Sequence, residues 1–314
     1  MGRFLVTGGA GFVGSNLVHA LLARGDEVVV LDNFSTGRRE NLADVVDRIK
    51  LIEGSLADRE AVEASVDGVD GVLHQGALPS VPKSLSLPIE TNEANVVGTL
   101  TLLEVCRQKG VERVVYAASS SAYGDHDAAV KTETLEPRPK SPYAVQKLTG
   151  EYYCAVYHQL FGLKTVALRY FNVFGRRQNP ESQYAAVVPA FVTRILDGRS
   201  PIVYGTGKQS RDFTHIDNVI DANLKALEAK PDACGRVYNV GCGSSVTLLD
   251  LIESINRQLG TDISPAFEAP RAGDVMHSKA DISSTMSLLG YSPDVDFDEG
   301  LKRAIRWYKG TRIA

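Results

Sequence analysis

RFLVTGGAGFVG, Arg3 to Gly14, is an apolar run that closes in three glycines spaced three apart, Gly8, Gly11 and Gly14. Ser15 to Leu22 follows, with Leu17, Val18, Leu21 and Leu22 at helical spacing, so the stretch predicts a strand, a tight turn and a helix. Glycine in such a turn permits positive φ, lets backbone approach a pyrophosphate, and lets the helix sit close to the sheet with its first amides facing the anion. Eighteen residues after Gly14, Asp32 ends a second apolar strand, Val28 to Leu31. An acidic side chain there grips the adenosine ribose hydroxyls of NAD.

The chain has 314 residues, 44% of them hydrophobic, enough for one large core or two unequal domains. A net charge of −4 argues against a generic nucleic-acid or anionic-membrane surface, which needs clustered Lys and Arg. No apolar run is long enough to span a membrane, and the N-terminus enters the first strand without a signal segment, so a cytoplasmic protein is expected. Cys106, Cys154, Cys234 and Cys242 lack CxxC spacing and fit reduced thiols; no Cys/His pair has ligand spacing, so no metal is expected.

Strands at Phe4 to Thr7, Val28 to Leu31, Lys50 to Glu53, Gly71 to His74, Val114 to Ala117 and Thr165 to Arg169 alternate with helical stretches. This is the pattern of an α/β, Rossmann-type, doubly wound parallel sheet. In Asn33 to Arg39, NFSTGRR, the residues Ser35, Thr36 and Gly37 lie where the adenosine end would be. Arg38 and Arg39 raise the question of a 2′-phosphate, which Asp32 would repel, so NAD is expected rather than NADP. His74 reads as a structural residue at a strand end, followed by the small residues of Gln75-Gly76-Ala77. Leu78 to Pro88 carries three prolines and predicts a loop over the carboxyl edge of the sheet; Thr91 to Gln108 predicts one long amphipathic helix.

Chemistry concentrates between Ser119 and Lys147. Ser119, Ser120 and Ser121 end the fifth strand, and Ser141-Pro142-Tyr143 starts a helix, with Ser at the N-cap and Pro at the first position. Tyr143 and Lys147 are then i and i+4 on one face. An ammonium beside a phenol, with a positive nicotinamide ring nearby, is expected to lower the tyrosine pKa toward the range of a general base.

Taken together, TGGAGFVG (Thr7 to Gly14), LDNFSTG (Leu31 to Gly37), ASSSAYG (Ala118 to Gly124), SPYAVQK (Ser141 to Lys147) and RYFNVFG (Arg169 to Gly175) resemble the extended short-chain dehydrogenase/reductases. Within that group the chain resembles the nucleotide-sugar 4-epimerases, with QSRDFTHIDN (Gln209 to Asn218) and PRAGDVMHSKADI (Pro270 to Ile282) in its second half. The resemblance implies NAD contacts from Gly8, Gly11, Phe12, Val13, Gly14, Asp32, Asn33, Ser35, Thr36 and Gly37. It adds Ser55, Leu56, Gln75, Ala77, Tyr143, Lys147 and Tyr170. It makes Tyr143 the base that takes the proton of the sugar 4-hydroxyl while the C4 hydride passes to NAD, Lys147 the holder of the cofactor ribose, and a serine the hydrogen-bonding partner of the same oxygen. Counted back from Tyr123-Gly124 that serine is Ser119, with a shift by one residue left open, and Ser120 and Ser121 nearer the rest of the sugar. Relatives that dehydrate or decarboxylate the keto sugar carry an acidic residue where Ser120 and Ser121 stand, which favours simple return of the hydride. A homodimer is implied as well, through helices around Asn92 to Gln108 and Tyr143 to Phe161.

After Phe174 the alternation breaks. A main domain of residues 1–172 with about 209–243 is expected, and a smaller, partly discontinuous substrate domain of 173–208 and 244–314, with Pro189 to Leu196 helical and Ile202 to Tyr204 a strand. The resemblance puts Asn172, Arg211 and Arg271 on a UDP diphosphate, where guanidinium forks suit phosphate oxygens. It puts Asp274 on the uridine ribose, Val203 and Tyr204 around the base, and Ser80, Val188 and Ser278 with Ser120 and Ser121 on the sugar side. Ser278 stands where strictly glucose/galactose enzymes carry a bulky tyrosine, and Tyr184 to Val188, YAAVV, resembles the N-acetyl-accepting branch. Without a steric block a C2 N-acetyl group fits, so interconversion of UDP-N-acetylglucosamine and UDP-N-acetylgalactosamine is expected, with activity on UDP-glucose and UDP-galactose. UDP-glucuronate 4-epimerisation is the alternative enzyme. A non-catalytic NAD-binding regulator is the alternative outside enzymology, against which the intact Tyr143/Lys147 pair argues. Ser55 stands where many relatives have an Asp for the adenine amino group, a departure that touches adenine contacts and not the chemistry.

Overall fold

A computed structural model describes residues 1–180, 186–270 and 275–311. The chain runs β1 (Arg3–Thr7), α1 (Phe12–Ala23), β2 (Glu27–Asp32), β3 (Ile49–Glu53), α2 (Arg59–Val66), β4 (Gly71–His74), α3 (Val81–Ser86), α4 (Pro88–Asn92), a π-helical segment Glu93–Val97, α5 (Gly98–Lys109), β5 (Arg113–Ser119), α6 (Pro142–Phe161) and β6 (Lys164–Tyr170). It continues through β7 (Val173–Phe174), α7 (Val187–Leu196), β8 (Ile202–Tyr204), β9 (Ser210–Arg211), β10 (Thr214–His215), α8 (Ile216–Leu227), β11 (Arg236–Val240), β12 (Val246–Thr247), α9 (Leu248–Leu259), β13 (Ala266–Glu268), β14 (His277–Ser278), α10 (Ser283–Leu289) and α11 (Phe297–Gly310).

Near-continuous apolar runs make strands that need cover on both faces, the condition of an all-parallel sheet. Seven strands meet it, in the order β11-β6-β5-β4-β1-β2-β3, every pair parallel. The chain starts mid-sheet, winds out to β3 and returns to β4, so the winding reverses between β1 and β4 and a crevice opens outside their carboxyl ends. On one face, Leu17 and Leu21 of α1 and Val219 and Ala226 of α8 cover Val6 and Val30. On the other, Val62 of α2, Leu102 and Cys106 of α5 and Cys154 of α6 cover Leu5 and Val72. A third, smaller core joins Phe191 of α7, Leu251 of α9, and Leu301 and Ile305 of α11 to Val203 and Phe213. Val145, Tyr152, Val156 and Leu160 stay exposed on α6, as does Val97 on the π segment packed against it, within the helices to which the resemblance assigns a homodimer contact. No helix among the described residues is long and apolar enough to cross a membrane.

Two sequence expectations are corrected. Leu78 to Pro88 contains the helix α3 and the first residue of α4 rather than a loop throughout. Its prolines sit where helices accept them: the Ser80 hydroxyl accepts the Lys83 N–H at 3.1 Å as N-cap, Pro82 occupies the first turn, and Pro88 opens α4. The helix expected over Thr91 to Gln108 is interrupted by the π segment, which carries Asn95. The Asn95 amide accepts the Leu78 N–H at 2.7 Å, returns a hydrogen bond to its carbonyl at 3.3 Å, and donates to Gln146 at 2.8 Å, tying the 78–80 turn to α6.

His74 is structural, as its sequence position implied. Thr99 Oγ1 donates to the Asn95 carbonyl at 2.7 Å and so accepts from His74 Nε2 at 2.9 Å, leaving Nδ1 to accept from Thr7 Oγ1 at 2.7 Å. Both ring nitrogens are satisfied only in the neutral form, and burial, with the Lys147 charge behind it, pushes the imidazole down to about 3. Above the ordinary histidine range both folded and unfolded chains hold this ring neutral; below it the unfolded chain takes up a proton that the fold refuses, so stability falls with pH. Denaturation midpoints are expected to register a loss of about 2 kcal/mol from this residue by pH 5. A His74→Gln variant whose stability declines just as steeply between pH 7 and pH 5 would contradict the assignment.

Candidate active site

The crevice at the switch point is a cleft of about 750 Å³. The β1–α1 turn forms its floor. Gly8 has φ +65°, and a Cβ there would meet the Gly76 Cα at 2.7 Å, so the carboxyl ends of β1 and β4 touch backbone to backbone. A Cβ on Gly14 would lie 2.1 Å from the Gly8 carbonyl oxygen. The N-cap of α1 is Gly11, with no side chain closing the helix end, and its first amides open onto the cleft. That is an anion cradle with room for backbone only, and it fits a dinucleotide pyrophosphate.

At the end of β2, Asp32 accepts the Ala10 N–H and the Phe34 N–H at 2.8 Å each, which aims its carboxylate along the cleft. Burial raises its pKa and the two amides pull it back. Gly37 lies against it, since a Cβ there would come within 2.9 Å of both carboxylate oxygens. Asn33, Ser35, Thr36, Ser55 and Leu56 line one end of the cleft, Gln75, Ala77 and Ser80 its middle, and Ala117 to Ser119, Tyr143, Lys147 and Tyr170 the other. Tyr170 joins Gln75 and Asn223 in a network, donating to Gln75 at 3.2 Å and accepting from the Asn223 amide at 2.8 Å.

Ser141 caps α6 by accepting the Ala144 N–H at 3.2 Å, and the Ser84 hydroxyl of α3 accepts the Tyr143 N–H at 3.1 Å. These contacts fix the first turn of α6, so Tyr143 and Lys147 face the cleft one turn apart. Ser119 lines the cleft together with Tyr143, and its hydroxyl pulls the phenol pKa down against burial. Ser121 donates to the Ser119 oxygen at 2.9 Å; Ser120 and Ser121 begin a 3₁₀ turn and do not line the cleft.

The expected effect of Lys147 on the phenol is corrected by the electrostatics. Burial pushes Tyr143 up to about 12, and the opposing influence is the Ser119 hydrogen bond, not Lys147. The Lys147 ammonium donates instead to the Ala117 carbonyl at 2.9 Å, and burial lowers it to about 8. A phenol so placed becomes a base near neutral pH only with a further positive charge at the cleft, the charge that an oxidised nicotinamide ring carries.

On the substrate side, β14 pairs in parallel with β9, which puts Ser278 directly beside Arg211. Arg211 Nη1 donates to the Ser210 carbonyl at 2.8 Å. Asp212 is buried and staples this region, accepting the amides of Cys242 at 2.8 Å and of Gly243 and Ala280 at 3.0 Å. Asn172 is exposed at φ +30°, a conformation Asn tolerates better than most residues. Val188 and Val203 are buried in the third core, so their side chains serve packing; Tyr204 beside Val203 is half-buried. Arg271, Asp274 and Tyr184 lie outside the described residues. Sequence reasoning missed Arg177, Gln178 and Asn179, which line the cleft. Arg177 takes φ +64°, and its guanidinium reaches Asn16 at 3.3 Å and His19 at 2.9 Å on α1. The RRQN run directly after RYFNVFG is the available signal.

Residues 4–241 match the model of the NAD dependent epimerase/dehydratase family. The chain belongs to this family. NAD is its cofactor, and the floor, the open helix end and Asp32 are the features of this fold that fit it. A UDP-glucose 4-epimerase of Mycolicibacterium smegmatis is 36% identical over 311 residues, 98% of each chain. Among solved structures, UDP-N-acetylglucosamine 4-epimerase from Methanobrevibacter ruminantium, in complex with UDP-N-acetylmuramic acid, superposes with a TM-score of 0.94 at 38% identity over 99% of both chains. UDP-glucuronic acid 4-epimerase from Bacillus cereus, in complex with a 4-deoxy-4-fluoro analogue of UDP-glucuronic acid and NAD, gives 0.91 at 32% identity, covering 98% of this chain and 99% of that one. The family member described here is an enzyme of the same isomerase class as these epimerases.

Proposed function

We propose that the chain interconverts UDP-N-acetylglucosamine and UDP-N-acetylgalactosamine by NAD-dependent 4-epimerisation, with activity on UDP-glucose and UDP-galactose. The observation that carries the substrate choice is Ser278, a small side chain registered beside Arg211 at the position where the resemblance gives strictly glucose/galactose enzymes a bulky tyrosine. The N-acetylhexosamine epimerase among the superposing structures supports the same reading.

Tyr143 takes the proton of the 4-hydroxyl, and Ser119 holds that oxygen with a hydrogen bond. Lys147, anchored on Ala117, keeps a positive charge one turn below the phenol. NAD, held by the glycine turn and Asp32, would supply the acceptor and later the donor of the C4 hydride. The 4-keto sugar turns within the cleft between the two transfers, and Tyr143 returns its proton to the C4 oxygen as the hydride comes back to the opposite face of C4, which gives the inverted alcohol. Ser120 and Ser121 offer no carboxyl group to work at C5 or C6, so the keto sugar is neither dehydrated nor decarboxylated.

Purified protein incubated separately with UDP-N-acetylglucosamine, UDP-glucose and UDP-glucuronate is expected to epimerise the first with the highest kcat/KM. Ser278→Tyr is expected to lower that value for the N-acetylated sugar by about 10–100-fold, a steric loss of one to a few kcal/mol, while sparing UDP-glucose. Full activity of Ser278→Tyr on the N-acetylated sugar would sink the substrate assignment. UDP-glucuronate is the second reading, favoured by the likeness to the glucuronic acid epimerase, and the same three incubations decide for or against it.

A further inference from the structure

Tyr143, Lys147 and Glu151 stand at i, i+4 and i+8 on α6, so the reactive stripe of this helix runs one turn deeper than the cleft. At that depth Glu151 is 6% exposed and meets Arg169 of β6, itself 3% exposed. The guanidinium donates from Nε at 2.9 Å and from Nη2 at 2.7 Å to the two carboxylate oxygens. Arg169 also lies 4.6 Å from the Tyr123 ring centre, and its Nη1 is buried without a hydrogen-bond acceptor. A buried pair of this kind is often replaceable by apolar residues without loss of stability, so fold stability is a weak reason for having it.

The surroundings of Lys147 supply a stronger one. Its ammonium touches the neutral Ala117 carbonyl and lies 5.0 Å from the Tyr116 ring centre. Of the titratable groups around it, Tyr143 and Cys154 on α6 and Tyr116 on β5 are held in their neutral forms by burial, and His74 on β4 is neutral as well. Arg169 on β6 is a cation. Glu151 is the acidic group whose charge raises Lys147; burial pushes its own pKa up, and the Arg169 guanidinium, gripping both its oxygens, pulls it back.

We propose that the Glu151–Arg169 pair is a positioning device for the reaction, in which Arg169 fixes Glu151 as a buried carboxylate and Glu151 keeps the Lys147 ammonium charged beneath Tyr143. This rests on the epimerase reading for its consequence and not for its test. The test is a pH titration of the Lys147 signal in the full chain, isolated with its NAD, labelled with ¹³C-lysine and followed by NMR, with Lys147→Met giving the assignment. The wild-type midpoint is expected near 8. Glu151→Gln is expected to lower it by about one unit, since it removes the charge that raises Lys147 and leaves Arg169 to repel the ammonium. The alkaline limb of kcat/KM should move down with it. The double variant Glu151→Gln/Arg169→Gln, which removes both charges of the pair, is expected to fold and to give a midpoint between the two. A purely structural role predicts equal or greater disturbance in the double variant. A Glu151→Gln midpoint at the wild-type value, or a double variant at or above the wild type, overturns the proposal. Absence of turnover on every UDP-sugar would instead defeat the epimerase reading and leave the midpoints to be read.

Discussion

Tyr143→Phe is expected to lower kcat by about 10²–10⁴-fold, the range a positioned general base contributes, while NAD content and thermal stability stay near wild type. The substitution removes one oxygen from a ring that lines the cleft and leaves the hydrogen bond from the Tyr143 amide to Ser84 in place. Ser119 cannot take over as base: its oxygen already accepts from Ser121, and an unassisted alcohol is far too weakly acidic to act as the conjugate base near neutral pH. The wild-type rate should rise with pH, because the phenolate is the active form and burial works against it. The residual rate of the variant should have lost that limb. Turnover of Tyr143→Phe within a few-fold of wild type would remove the residue from the role of base.

Gly14→Ala is expected to abolish retention of NAD. The added carbon would stand 2.1 Å from the Gly8 carbonyl oxygen, 2.8 Å from the Gly8 carbonyl carbon and 2.9 Å from the Gly9 Cα. All three are backbone atoms, so no side-chain rotation relieves the contact; either the turn opens or α1 withdraws. Withdrawal pulls Leu17, Val18 and Leu21, all fully buried, away from the sheet. A stability loss of about 1–3 kcal/mol is expected from overpacking alone, in addition to the damaged anion cradle. Acid extraction of the purified variant measures the bound dinucleotide, and a thermal melt measures the fold. Gly310→Ala, at a position with nothing within 4 Å of the new carbon, serves as the tolerated control. Stoichiometric NAD and an unshifted Tm in Gly14→Ala would show that the close approach is not required.

The strands were legible because uninterrupted Val, Ile and Leu runs bounded by turn residues have few other uses, and the observed strands extend the expected ones by only a residue or two at either end. The NAD end was legible for a related reason: Gly8, Gly14 and Asp32 all lie within the single unit β1-α1-β2, the glycines at its turn and the carboxylate at its end. The helix over Val81–Ser86 was not, because its prolines were counted as breakers before their place in the first turn was known. The π segment at Asn95 was hidden because its cause lies seventeen residues away, at the Leu78 amide. Glu151 and Asp212 escaped notice because a carboxylate is read by default as surface, and only β6 and the 241–243 turn reveal what each is buried against. The partner of the Lys147 ammonium was not legible, because spacing on a helix gives adjacency to Tyr143 but not depth or the Ala117 carbonyl to which the ammonium donates.

The contact of Gly8 with Gly76 and the small side chain of Ser278 divide the molecule by how freely it can evolve. At the carboxyl ends of β1 and β4 the backbones are so close that any side chain on Gly8 collides, which leaves that floor no neighbouring sequence to drift into. Ser278 stands on a two-residue strand beside Arg211, far from this floor in the sequence, and a change of its bulk disturbs neither the glycine turn nor the α6 stripe. If Ser278 sets the sugar, as proposed, a lineage built on this scaffold exchanges one sugar for another by single substitutions, while the glycine turn and the α6 stripe are inherited unchanged.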